Sequence, residues 1–77
     1  MQKSDLGLIK VFLSIYEDGS VSKAAETLNL TQPSVSYSLS RLRDLLNDSL
    51  FTRTRDGMKP TFAAEQYYRV FASSVGN

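Results

Sequence analysis

The sequence predicts a mainly α-helical domain: a three-helix core, a two-stranded β-hairpin and a closing fourth helix. Three observations predict it. Apolar residues recur at helical spacing in four separate stretches of the 77-residue chain. Short polar breaks divide the first three stretches, at Asp18-Gly19-Ser20, Asn29-Leu30-Thr31 and Asn47-Asp48-Ser49. An Asp56-Gly57 pair then stands between two brief part-apolar runs, which is a hairpin signal. A chain this short holds one domain and one small core.

The first helix is expected over residues 4–17. Leu6, Ile9, Leu13 and Tyr16 recur on one face, widened by Phe12, while Leu8, Val11 and Ile15 form a second stripe. A helix apolar on two sides expects two neighbours. Ser4 is a plausible N-cap with Asp5 in the first turn, and Gly19 suits the helix end. A short second helix follows over 22–28, capped by Ser20 or Ser22. Val21, Ala24, Ala25 and Leu28 give it a small-residue inner face that lets two axes approach closely. Asn29 tolerates the left-handed backbone that a tight interhelical turn requires.

Residues 34–40 alternate polar and apolar, as a strand would. The continuation decides for a helix over 32–46. Val35, Leu39, Leu42 and Leu46 fall within about 60° of one another on a helical wheel, and the two-residue alternation ends at Arg41. Thr31 is a good N-cap, and Pro33 is acceptable in a first turn. The hairpin strands are placed at 50–53 and 58–61, with Pro60 demoting the second to an edge. Thr61 caps a last helix over 62–75, along which Ala64, Tyr68, Phe71 and Val75 share a face. That helix carries more aromatic surface than so small a core easily hides.

Composition narrows the chemistry. Cysteine and histidine are both absent, which removes disulfides, zinc sites and the common nucleophile–base pairs. No acid–base constellation is visible among the scattered carboxylates, so an enzyme is not expected. No apolar run approaches the roughly 20 residues of a membrane span. A cysteine-free chain suits the reducing cytoplasm, where it is expected to reside. The net charge of +1 is small, yet the cations Arg41, Arg43, Arg53, Arg55 and Lys59 gather in the middle third. Four of those five are Arg, whose fork matches phosphate oxygens and guanine edges.

Two helices joined by a three-residue turn, the second opening on polar side chains, describe a helix-turn-helix. The major groove of B-DNA admits one such helix by its N-terminal turns. The outward face of 32–46 carries Pro33, Tyr37, Ser40, Arg41 and Asp44, with Ser34 on the flank and Gln32 protruding from the first turn. Gln can bond adenine at two points, short Ser side chains let a helix sink toward base edges, and Arg41 can reach phosphate or guanine. Asp44 is expected beyond the groove. Arg53, Arg55 and Lys59 lie within seven residues on the hairpin, which makes it a basic wing able to follow the backbone or enter the minor groove. Arg53 has a structural alternative, pairing with Asp48 or Asp44. The low net charge and the aromatic last helix would also suit a winged helix used for protein contact.

The run from Gly19 to Ser36, with Ala24-Ala25 and Thr31-Gln32-Pro33-Ser34 inside it, resembles the N-terminal domain of LysR-type transcriptional regulators. So do Leu39, Leu42-Arg43, Leu45-Leu46 and Leu50-Phe51-Thr52-Arg53-Thr54. The likeness covers roughly residues 5–68, and Asp5-Leu6-Gly7-Leu8-Ile9 with the Asp56-Gly57-Met58 wing looks most like the nodulation-regulator branch. The resemblance implies a winged helix-turn-helix over 1–61 and the truncated start of a linker and dimerisation helix over 62–77. It implies sequence-specific binding of double-stranded DNA, with contacts at Gln32, Pro33, Ser34 and Ser36 and at wing cations Arg53 and Arg55; Thr31, at the start of the same helix, is expected among the contact residues. Tyr37 departs from the pattern, since many members have Arg there. Family members pair through the linker helix, which implies a homodimer through Tyr67, Tyr68, Phe71 and Val75, a partly palindromic operator, and a tetramer as an option for a full-length protein; the alternative for Tyr67, Tyr68 and Phe71 is that the rings cap the three-helix core, and at least one is expected to do so. A small-molecule effector would bind a C-terminal domain absent from this chain, so no cofactor is expected here.

Overall fold

The computed structural model describes the backbone of residues 3–75 and the side chains of residues 7–73. The order is α1 (Lys3–Asp18), α2 (Val21–Leu28), α3 (Gln32–Leu46), β1 (Phe51–Thr54), β2 (Gly57–Pro60) and α4 (Phe62–Val75). This is the expected three-helix core with a two-stranded wing and a closing helix. Lys3 is already helical, so Ser4 stands inside α1 rather than at its cap. The side chains of Ser4, Leu6 and Val75 lie outside the described residues.

The core gathers on α1, which packs against α2, α3, α4 and β2. Leu8, Val11, Phe12 and Ile15 are buried, whereas Ile9, Leu13 and Tyr16 are half-buried. The second stripe is therefore the inner one, and Phe12 belongs with it. Its ring is fully buried and is the aromatic hub. The Phe51 ring lies 5.5 Å away and the Phe71 ring meets it edge-on at 5.6 Å, arrangements that add to the gain from burial alone. Ala24 and Ala25 close the α2 side, and Val35, Leu39 and Leu42 the α3 side.

The turn between α2 and α3 forms as its residues dictate. Ser20 caps α2, its hydroxyl accepting from the Lys23 N–H at 2.9 Å. Asn29 takes φ 58° and ψ 45°, and the Leu30 N–H returns to the Ala25 carbonyl at 2.8 Å. That closes the last turn of α2 and satisfies carbonyls a helix end leaves open. The Thr31 hydroxyl then caps α3, accepting from the Ser34 N–H at 3.3 Å.

Past α3 the chain is held by a junction of polar bonds. Asn47 ends the helix at φ 53°, and Leu50 is fully buried with φ 66°. A left-handed Leu costs roughly 1–2 kcal/mol, so its surroundings must hold it there. One Asp48 carboxylate oxygen accepts from the Leu50 N–H and from the Thr61 hydroxyl, each at 2.8 Å. The Thr61 N–H donates to the Leu50 carbonyl at 2.8 Å, and the Thr61 oxygen caps α4 by accepting from the Ala64 N–H at 3.1 Å. Arg43 reaches across from α3, donating to the Ser49 carbonyl at 2.8 Å and the Phe51 carbonyl at 3.3 Å.

This junction shifts both strands from the expected bounds. A left-handed Leu50 cannot begin a strand, and Thr61 serves the α4 cap, so the strands are 51–54 and 57–60. They pair antiparallel from Phe51 with Pro60 to Thr54 with Gly57. The loop between them is Arg55-Asp56, and Gly57 belongs to β2.

Candidate nucleic-acid interface

The N-terminal half of α3 stands clear of the core. Gln32, Pro33, Ser34, Ser36, Tyr37, Ser40, Arg41 and Asp44 are all exposed, with Tyr37 at 63%. The apolar stripe behind them holds the helix down, so these side chains project together. Two of the expected contact residues have internal work. The Thr31 hydroxyl accepts from the Ser34 N–H and donates to the Ser34 Oγ at 2.9 Å. That commits Thr31 to the cap and leaves Ser34 its own hydroxyl proton to donate. The Gln32 amide nitrogen points to the Ser22 Oγ on α2 at 3.5 Å. A contact that long is weak, but it turns the Gln32 amide toward the first turn of α2. Ser22 was expected only as a possible cap, and its position there is the signal that places it beside Gln32.

The exposed face divides into two grooves. One, of about 340 Å³, has Ser20, Ser22, Gln32 and Ser36 on the helical wall, and Arg53 and Arg55 on the wing wall. The other, of about 320 Å³, lies between α3 and α1 and is bordered by Leu8, Val11, Leu30, Tyr37 and Arg41. Gln32 and Ser36 thus face the wing, whereas Tyr37 and Arg41 face the first helix. Hydroxyl, amide and guanidinium groups line the first groove, which therefore presents donors to anionic and base-edge acceptors.

The three wing cations do not act as one cluster. Arg53 pairs with Met58 in the sheet register, and both line the groove facing α3. Lys59 pairs with Thr52, which puts it on the other face of the hairpin. There it borders a separate hollow with Gly19 and Asp56. Among the described residues Arg53 makes no ion pair with Asp48 or Asp44. The Asp48 oxygen is occupied by Leu50 and Thr61, and the structural arginine of this region is Arg43.

Two of the α4 aromatics turn inward, as the core-capping alternative has it. Tyr68 stacks on Tyr16 with ring centres 4.0 Å apart and planes 9° apart, and its hydroxyl donates to Glu17 at 2.7 Å. That bond to Glu17 raises the Tyr68 pKa above its ordinary value, followed by burial and the charges of Glu17 and Tyr16. Phe71 packs on Phe12, and Tyr67 stacks on Phe71 at 5.8 Å. Tyr68 and Phe71 therefore bind α4 to α1 within the chain. The large apolar residues that α4 exposes are Phe62 at 78% and Val70 at 60%. Among the described residues no group of carboxylates could hold a metal ion, and no helix is long and apolar enough to cross a membrane.

Comparison with known proteins agrees with this geometry. Residues 6–65 match the model of the bacterial regulatory helix-turn-helix proteins of the lysR family. The HTH-type transcriptional activator NagR of Ralstonia is 58% identical over 57 residues, which are 74% of this chain and 19% of NagR. NahR of Pseudomonas putida, also an HTH-type transcriptional activator, is 54% identical over the same share of each chain. The chain thus spans about a fifth of the length of these relatives. The probable transcriptional regulator PA0477 of Pseudomonas aeruginosa superposes with a TM-score of 0.88 at 36% identity, covering 91% of this chain and 24% of that one. A crystal structure of the BenM DNA-binding domain on catB site 1 DNA superposes with the same score at 26% identity, covering all of this chain and 83% of that one.

Proposed function

Since the chain belongs to the lysR family of bacterial regulatory helix-turn-helix proteins, we propose that it is the DNA-reading part of a transcriptional regulator and binds double-stranded DNA sequence-specifically. One observation carries the reading. The exposed, hydroxyl- and amide-bearing start of α3 faces Arg53 and Arg55 across a single groove. The likeness to a DNA-binding domain solved on its DNA supports the same use of the surface. In this reading α3 enters the major groove by its first turns. Gln32 and Ser36 reach base edges, Ser34 offers a hydroxyl at the helix start, and Arg53 and Arg55 hold the flanking backbone. Tyr37 and Arg41 serve the opposite border, against phosphate or a thymine methyl. The protein-contact alternative loses weight, because Tyr68 and Phe71 are already partnered within the chain.

The dimer in this reading forms through α4, with Phe62 and Val70 at its exposed face and Tyr67 beside them. A twofold pair of α3 helices then reads a partly palindromic site. The effector of the whole regulator binds the part of the protein that these residues do not span.

Fluorescence anisotropy against duplexes selected from a random pool tests the reading. Gln32→Ala is expected to weaken selected sites by about 1–3 kcal/mol and to spare unrelated duplex. Arg55→Ala is expected to weaken both alike. Absence of saturable binding at about 50 mM salt, or a salt slope near zero, contradicts the proposal. Sedimentation on and off DNA tests the dimer, and a strict monomer on DNA contradicts it.

A further inference from the structure

Besides the packing of Phe51 and Met58, a backbone–backbone hydrogen bond near the loop end of the hairpin ties the wing to the turn before α2. The Met58 N–H donates to the Gly19 carbonyl at 2.8 Å, joining β2 to the turn that precedes α2. Gly57, one residue earlier, has φ +132°, and a Cβ built on it would fall on the same Gly19 carbonyl oxygen. Gly19 itself has φ +73°, but a Cβ there meets nothing within 4 Å. The two glycines are thus unlike in kind. Gly19 needs only its backbone conformation, whereas Gly57 also needs the space.

We propose that the Gly19–Gly57 contact is a latch that positions the wing for DNA, setting the width of the groove between α3 and the wing. Ser20, directly after Gly19, and Ser22, in the first turn of α2, stand on the helical wall, while Arg53 and Arg55, on the other wall, lie on the hairpin that Gly57 closes. The hydrogen bond and the close approach fix the distance between those walls. Any side chain at Gly57 must push β2 away from Gly19 or twist the hairpin, and either motion carries Arg53 and Arg55 with it. Gly57 is therefore a positioning residue, acting through the two arginines. This inference rests on the DNA-binding reading for its consequence but not for its geometry.

The absence of cysteine permits a direct test. Spin labels on Glu26→Cys and Asp56→Cys, both exposed positions, report the distance from α2 to the wing tip without DNA. Gly57→Ala is expected to lengthen or broaden that distance, and Gly19→Ala, strained but free of the clash, to leave it unchanged. In unlabelled protein, Gly57→Ala is expected to weaken every duplex by a common factor of about ten. It should also lower the log–log salt slope by about 1–2, as loss of one or two phosphate contacts requires. The ratio between selected and unrelated duplexes, which Gln32 governs, should survive, and a loss of stability alone would not produce this pattern. An unchanged label distance overturns the latch, and a moved wing with an unchanged salt slope overturns its role in positioning. If Gly57→Ala does not fold, amide exchange in the unaltered chain decides. The Met58 N–H is expected to be protected, and exchange as fast as that of the Arg55 amide overturns the latch. Failure of the unaltered chain to bind any duplex overturns the DNA reading instead, and the label distance still judges the contact.

Discussion

Replacing Asp48 by Ala tests how the end of α3, the start of the wing and the start of α4 are joined. The substitution removes the acceptor of two bonds, from the Leu50 N–H and the Thr61 hydroxyl, each at 2.8 Å. A bond to a sheltered carboxylate is worth about 1.5–3 kcal/mol. Asp48 is half-exposed, so water screens it, and about 1–1.5 kcal/mol for each bond is the fitting share. The loss is then about 2–3 kcal/mol, since the left-handed Leu50 also loses the bond that holds it. For a domain of this size that lowers Tm by about 10–20 °C. Urea and thermal unfolding followed by circular dichroism measure it. Asp48→Asn keeps an acceptor without the charge and is expected to lose about half as much. A loss below about 0.5 kcal/mol for Asp48→Ala, or equal losses for Asn and Ala, would refute the reasoning. In a double-mutant cycle with Thr61→Val the two losses should fall short of additive, because one bond is counted in both.

Three other perturbations follow from the packing. Phe12→Ala removes the buried hub ring and is expected to cost about 3–5 kcal/mol in denaturant unfolding. Asn29→Val places a β-branched residue at φ 58° and should cost about 1–2 kcal/mol, whereas Asn29→Gly should stay within a few tenths. The Tyr68 hydroxyl donates to Glu17, which raises its pKa in the folded chain. That contribution is complete below the ordinary tyrosine pKa of about 10 and is lost as pH rises through the higher folded value. The stability gap between the unaltered chain and Tyr68→Phe should therefore be constant near neutrality and close in strong alkali. A gap that widens there contradicts the assignment.

The parts of the fold legible in the sequence are those decided by neighbours along the chain. Thr31, Pro33 and the Val35–Leu39–Leu42 spacing place α3 residue for residue, and Asn29 takes the left-handed turn that its side chain tolerates. Thr61 caps α4 as read. What the sequence did not disclose depends on distant partners. Asp48 meets Thr61 thirteen residues on, and Tyr68 meets Glu17 across fifty-one. No local pattern announces either. Arg43 reads as one cation among five, yet its guanidinium is committed to two carbonyls. At the candidate site, exposure of the α3 face follows from its wheel. The separation of Lys59 from Arg53 is legible as well, although closeness along the chain groups the three wing cations: strands at 50–53 and 58–61 already imply the observed register, Arg53 opposite Met58 and Lys59 opposite Thr52, and the alternation of faces along a strand then parts them.

In the proposed function the start of α3 reads bases while the wing arginines hold the backbone. The measurement that tests it most directly is a salt-titrated anisotropy comparison of the unaltered chain and Gln32→Ala, on a selected duplex and on its scramble. Saturable binding with a clearly negative log–log salt slope is expected for both proteins. The unaltered chain is expected to prefer the selected duplex, a preference reduced by about 1–3 kcal/mol in Gln32→Ala. Equal discrimination by the two proteins would contradict base reading by Gln32, and a salt slope near zero would contradict DNA binding by this face.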